Sequence, residues 1–184
     1  MALVHYPVYN RHQQVIASAV TNLDLHDIAR ACKTYGVHRF YVVTPLADQH
    51  RLVRRLLDHW LRGRGSQVHP ERKAALELVE LADSVDDVVQ RNCRTAGKQT
   101  KLLATAATVC RPVFTYGEAR QWLTAGGQLL ILFGTAWGLS REVMELADYQ
   151  LPPIDGRHGY NHLSVRSAAS IILDRLLSDR EELS

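Results

Sequence analysis

Three groups of residues in this chain have the types and spacing to do chemistry. The first is the polar stretch 156–164, which carries two glycines and runs into apolar positions at 165, 168, 169, 172, 173 and 176. That spacing is the one-sided stripe of a core-facing helix. Ser164 is placed to cap it, its hydroxyl taking a free backbone N–H of the first turn. Amide groups of a glycine-bearing loop at a helix start suit a polar or anionic small molecule. In the second group His26, Arg30 and Lys33 share one face of a predicted helix, with Asn22 ahead of them as cap and Asp27 in reach of Arg30. The third is a basic run from 51 to 73, with Arg51, Arg54, Arg55, Arg62, Arg64, Arg72 and Lys73 against only Asp58 and Glu71. Such a patch could meet phosphates. His158 and His162 have zinc-pair spacing, but they lack the intervening glutamate of H-E-x-x-H and have glycines around them, so no metal site is expected.

These groups need a scaffold. The chain has 184 residues, 46% apolar and 22% charged, with a net charge of +3, which is ordinary for one soluble globular domain. Its three cysteines, Cys32, Cys93 and Cys110, are dispersed, which suits a reducing compartment. No basic-then-apolar leader opens the chain, and no apolar run reaches the roughly 18 residues of a membrane helix. The expected location is the cytoplasm.

Short strands are predicted at 3–8, 39–44, 100–105, 128–133 and 149–151, with a less clear extended piece at 14–20. Helices are predicted from Asn22 to Gly36, over 47–61, from 71, from Asp83 or Ser84 to about 92, over 115–123, after Ser140, and after Ser164. The run 128–133 is apolar throughout, as in a strand buried on both faces. Alternating strands and helices imply βαβ units, hence an α/β fold with a mainly parallel sheet and helices on both faces. Ligands on such sheets sit at the carboxyl ends of strands. Three loops leave there, after Thr105, after Phe133 and after Ile154. No phosphate-binding P-loop, dinucleotide fingerprint or nucleophile elbow is present.

Three segments taken together resemble the SPOUT superfamily of S-adenosylmethionine-dependent RNA methyltransferases. They are the run from Asn22 through Arg30 to Gly36-Val37, the run from Leu130 through Gly134-Thr135-Ala136-Trp137-Gly138 to Ser140, and the run from Ile154 through Tyr160-Asn161-His162-Leu163-Ser164-Val165-Arg166 to Ala169. The opening His5-Tyr-Pro-Val-Tyr-Asn10 and the segment Thr34-Tyr-Gly36 are similar to a bacterial family found alone or joined to the tRNA guanine-N1 methyltransferase.

The resemblance implies a single domain over 1–184 with a deep C-terminal trefoil knot. It implies S-adenosylmethionine as cofactor and S-adenosylhomocysteine as product, held by Thr105, Phe133, Gly134, Thr135, Gly138, Ile154, Gly156, Tyr160, Asn161, Leu163, Ser164, Val165 and Ala168. It also implies a homodimer acting on RNA, either tRNA or rRNA. The catalytic candidates are Asn22, Asp24, His26 and Arg30, with Asp24 or His26 as base and Arg30 on a phosphate or the acceptor. RNA contacts are expected from Arg51, Arg54, Arg55, Arg62, Arg64 and Arg166. The ribose-methylating branch has a glutamate where this chain has Ala136, and an asparagine and a serine where it has Ser164 and Arg166. Arg166 opens a helix, where a cation opposes the helix dipole. It is therefore predicted to meet the cofactor's carboxylate, RNA, or an acid of a partner subunit. The alternative from another class is a non-catalytic RNA-binding or dimerisation module on the same fold. A weaker third reading is a flavodoxin-like fold for another nucleotide.

Overall fold

The computed structural model describes residues 1–94 and 99–179. The segment 95–98 and the last five residues of the predicted domain lie outside the described residues. In chain order the elements are β1 (Ala2–Val4), β2 (Val8–Tyr9), β3 (Val15–Ile16), α1 (Asn22–Thr34), β4 (Phe40–Val43), α2 (Ala47–Leu61), α3 (Gly65–Val68), α4 (Pro70–Leu76), β5 (Val79–Ala82), α5 (Val85–Arg94), β6 (Thr100–Ala104), α6 (Tyr116–Thr124), β7 (Gln128–Gly134), α7 (Arg141–Leu146), β8 (Tyr149–Gln150) and α8 (Val165–Leu177).

Six strands form one sheet in the order β5-β4-β1-β7-β6-β8. Every pairing in it is parallel. All six carboxyl ends therefore point to one edge, which is what gathers the loops that follow them. β2 and β3 form a separate antiparallel ribbon.

Alternation along each strand sorts side chains to two cores. Leu3, Phe40, Val42, Leu103, Ile131 and Phe133 face one side, with Leu25 and Ile28 of α1, Val53 of α2, Leu76 of α4, Ala119 of α6 and Ile172 and Leu173 of α8. Val4, Tyr41, Val43, Leu102, Leu130 and Leu132 face the other, with Val85 and Val88 of α5 and Val143 and Met144 of α7. Both faces are covered, so the strands are apolar on consecutive residues, as a parallel sheet requires. Among the described residues no helix is long and apolar enough to cross a membrane.

Two predicted boundaries change. The stretch 3–8 is two strands. Pro7 has no N–H to carry a ladder onward, the Tyr6–Pro7 peptide is cis, and the chain turns there from β1 to β2. The cap of α1 is Thr21, not Asn22. Thr21 is extended, at φ −106° and ψ 146°, and its hydroxyl accepts the Asp24 N–H at 3.1 Å. Asn22 is already helical. The helix predicted from 71 starts at Pro70 and ends at Leu76, and Val79–Ala82 then pairs with β4 as β5.

Candidate active site

At the carboxyl edge of the sheet lies a cavity of about 1320 Å³. Its walls are the loop after β6 (Thr105, Ala107, Thr108), the turn from β7 into α7 (Phe133 to Leu139), and the segment from β8 to α8 (Ile154, Asn161, Leu163, Ser164, Val165). The Asn161 amide donates to the Ala107 carbonyl at 2.7 Å and ties the first of these loops to the third.

The turn after β7 is held by its backbone. A Cβ on Gly134 would lie 2.5 Å from the Leu139 nitrogen, so only glycine lets the chain fold back this tightly. Ala136 and Gly138 both have positive φ, 51° and 105°. Thr135 is buried and locks the turn to the sheet, its hydroxyl donating to the Val4 carbonyl at 2.9 Å.

Charge enters from α1 and α8, which pack together. Asp24 is 8% exposed and lines the cavity. Its Oδ2 accepts from the Thr21 hydroxyl at 2.6 Å, and its Oδ1 from Arg166 Nη1 at 2.9 Å. Arg166 Nε lies 3.4 Å from Asp27 Oδ2. Anions that a cation at this helix start calls for are thus supplied by α1 of the same chain. Asp27, engaged with Arg166, makes no ion pair with Arg30.

Behind this wall stands His5, fully buried just past β1. Its tautomer follows from a chain of hydrogen bonds. The Thr135 hydroxyl spends its hydrogen on Val4, so the Ser18 hydroxyl, 2.6 Å away, donates to Thr135. Ser18 then accepts from His5 Nδ1 at 2.9 Å. The proton sits on Nδ1, and Nε2 is a buried lone pair with no hydrogen-bond partner among the described residues. Burial pushes the His5 pKa down to about 4; the Asp24 carboxylate and the Ala19 carbonyl offset only part of that.

The predicted site residues separate. Thr105, Phe133, Gly134, Thr135, Gly138, Ile154, Asn161, Leu163, Ser164, Val165 and Ala168 line the cavity; Gly156 and Tyr160 do not. Tyr160 is 70% exposed, and Gly156 lies with it in a turn that reaches outward. Of the four catalytic candidates only Asp24 lines the cavity. Asn22 and Arg30 are exposed. His26 packs edge-on against Trp60, 5.2 Å between ring centroids. Its pKa is lowered by burial first and then by the Arg72 cation, with Asp27 opposing.

Arg51 pairs with Asp48, and Arg62 with Asp58 at 3.2 Å. Arg54, Arg55 and Arg64 are exposed, with no carboxylate within 4.0 Å among the described residues. Sequence reasoning missed the outer wall, made by Tyr9, Gln13, Cys110, Arg111, Trp137, Arg141 and Glu145. The one available signal was Trp137, a large aromatic between glycines of a loop.

The cavity suits a nucleoside-bearing cofactor. Phe133, Leu139, Leu163 and Ile172 offer apolar surface to a flat ring, while Thr105, Thr108, Asn161 and Ser164 offer polar groups to a sugar and an amino-acid tail.

Residues 1–178 match the family described as SAM-dependent RNA methyltransferase. Two proteins named tRNA (guanine-N(1)-)-methyltransferase, from Oleidesulfovibrio alaskensis and Nitratidesulfovibrio vulgaris, are 42% and 44% identical over 178 residues. Each alignment covers 97% of this chain and 41% of the relative, so the chain spans about two fifths of their length. Among solved structures, a putative methylase family protein from Neisseria gonorrhoeae aligns with a TM-score of 0.64 at 17% identity, covering 98% of this chain and 82% of that one. The SpoU methyltransferase AviRb from Streptomyces viridochromogenes, solved in complex with the cofactor AdoMet, aligns at 0.56 and 19%, covering 96% and 56%. These likenesses show the fold. With its family match running from residue 1 to residue 178, the chain belongs to the SAM-dependent RNA methyltransferases.

Proposed function

We propose that this chain transfers the methyl group of S-adenosylmethionine to tRNA or rRNA in the cytoplasm, as a homodimer whose segment between β8 and α8 threads a trefoil knot. The observation that carries the reading is the Asp24 carboxylate, held by Thr21 and Arg166 at the wall of a cavity built from the loops after β6, β7 and β8. The cofactor, when bound, supplies an electrophilic methyl group on sulfur. AviRb, which shares the fold, has been solved with that cofactor. The relatives' names point to tRNA. Because the chain spans only two fifths of them, guanine N1 is not carried over as the target.

The chain's own residues do the positioning. Asp24 accepts a hydrogen bond from the acceptor's N–H or O–H and takes its proton as the methyl group arrives, the role of a general base. Arg166 holds Oδ1 through a charge-assisted bond, so the carboxylate keeps one orientation. In-line placement of acceptor and sulfur supplies much of the rate. Exposed Arg54, Arg55 and Arg64 contact RNA phosphates, with Arg51 and Arg62 beside them.

Tritiated methyl transfer to bulk tRNA and rRNA from a strain lacking the protein tests this. Label in one fraction, lost in Asp24→Asn, is the expected result. No label in either fraction, from protein that binds the cofactor, would favour the non-catalytic module.

A further inference from the structure

The three tryptophans differ in one respect. Trp122 donates its indole N–H to the Gln128 carbonyl at 3.0 Å and carries the Lys101 ammonium 4.4 Å over its ring. Trp60 meets His26 and His59 edge-on, with the Arg72 guanidinium 4.7 Å above it. Trp137 is 66% exposed at the cavity rim. Among the described residues its ring has no aromatic or cationic neighbour, and its indole N–H has no acceptor.

Yet its backbone is fixed on both sides. Trp137 N–H donates to the Tyr9 carbonyl at 3.0 Å, and Tyr9 N–H to the Gly138 carbonyl at 2.9 Å. Ala136 is held at φ 51°, a conformation that L residues seldom adopt without surrounding support. A large flat side chain, carried on a fixed backbone and left bare beside a cavity, is a stacking surface.

What stands next to it sets the kind of partner. The ladder to Tyr9 puts the β2–β3 hairpin beside Trp137, and Tyr9 and Gln13 of that hairpin also line the cavity. Its tip is rigid: Asn10 Oδ1 accepts the His12 and Gln14 N–H groups at 2.8 and 3.0 Å. Arg11 is exposed there, touches His12, and has no carboxylate within 4.0 Å among the described residues. The chain has no acidic residue before Asp24, so the hairpin brings no negative charge, and Glu145 of the same wall is paired with Arg141 at 2.7 Å.

We propose that Trp137 and the hairpin tip form a docking rim for single-stranded RNA, with an unpaired base stacked on the Trp137 ring and a flanking phosphate held by Arg11. This rests on the RNA methyltransferase reading. The rim takes the base next to the one that enters the cavity, and so helps choose the methylated position.

The test uses the whole chain, with unfractionated tRNA, an unstructured oligoribonucleotide and S-adenosylhomocysteine as probes. In Trp60→Phe/Trp122→Phe, Trp137 is the one remaining tryptophan, and excitation beyond the tyrosine absorption band reads its emission alone. RNA should quench it about twofold or more, with the midpoint measured by anisotropy. In the otherwise native chain, Trp137→Ala should weaken RNA binding about tenfold, as the loss of one stacked base predicts. Trp137→Phe should lose less, and Arg11→Gln should lower the salt slope by about one. S-adenosylhomocysteine affinity should not move in Arg11→Gln, and in Trp137→Ala it should fall far less than RNA affinity does. RNA that binds without changing Trp137 emission, or with undiminished affinity for Trp137→Ala, would overturn the proposal. So would quenching by S-adenosylhomocysteine alone, which would make the ring an adenine platform. If the native chain binds S-adenosylhomocysteine but no RNA, the RNA reading falls and the rim falls with it.

Discussion

Asp24 and His26 stand two residues apart on α1, and helical geometry turns them about 200° from each other around the axis. Asp24 reaches the seam with α8, where Thr21 and Arg166 hold it at the cavity wall. His26 reaches the seam with α2 and α4, where Trp60 and Arg72 surround it. In sequence both are polar residues at the start of one helix and equally good candidates for a base. Their difference is tertiary: one seam opens on the cavity and the other is filled by an indole ring.

The largest effect that can break this contrast is on turnover. Asp24→Asn should lower kcat by roughly 10²–10⁴, the range for a lost general base, while leaving S-adenosylhomocysteine affinity nearly unchanged. His26→Gln should stay within about threefold. Equal losses in single-turnover assays would remove the assignment of the chemistry to the α8 side.

His5 sharpens the contrast through stability. Its folded pKa of about 4 lies below the ordinary 6.5. Above 6.5 the ring is neutral in both states, and its contribution is fully present. As pH falls from 6.5 towards 4, the unfolded chain takes a proton that the folded chain refuses, and stability drops. At about 1.4 kcal/mol per unit, that window bounds the loss at roughly 3 kcal/mol. Urea unfolding at pH 7 and 4.5 should show a smaller difference for His5→Gln than for the native chain. The same slope in both would contradict a neutral His5.

Arg166→Gln should lower kcat about tenfold, the worth of one charge-assisted bond. Arg166→Lys should restore only part, because one ammonium cannot bond Asp24 and reach Asp27 as the fork does. Smallest are the arginines of α2. Arg54→Gln or Arg55→Gln should weaken RNA binding a few-fold and lower its salt slope by about one per phosphate contact, with kcat unchanged.

Much of the scaffold was legible because it follows from local period. α2 has the predicted bounds 47–61, since its apolar positions repeat as a helix requires. β7 was readable from its unbroken apolar run, and the Ser164 cap from its place before a stripe; its hydroxyl accepts the Ser167 N–H at 3.2 Å. Thr21 and Asn22 are both good caps, and only the backbone turn at Thr21 decides between them. The site was half legible. Glycines marked the loops, but not which residues turn inward: Asn161 does, tied to Ala107, while Tyr160 beside it points out. The partners of Arg166 could not be read, because Asp24 lies 142 residues away in sequence. Nor could the hairpin be placed against the turn after β7, since that contact depends on β1 and β7 lying side by side.

The proposed cofactor site is the cavity between the loops after β6, β7 and β8. Calorimetric titration of S-adenosylhomocysteine into the native chain tests it most directly. One saturable site per chain, abolished by Gly134→Val while the far-UV spectrum persists, is the predicted result. Absence of binding by the folded native chain, or full affinity in Gly134→Val, would contradict it.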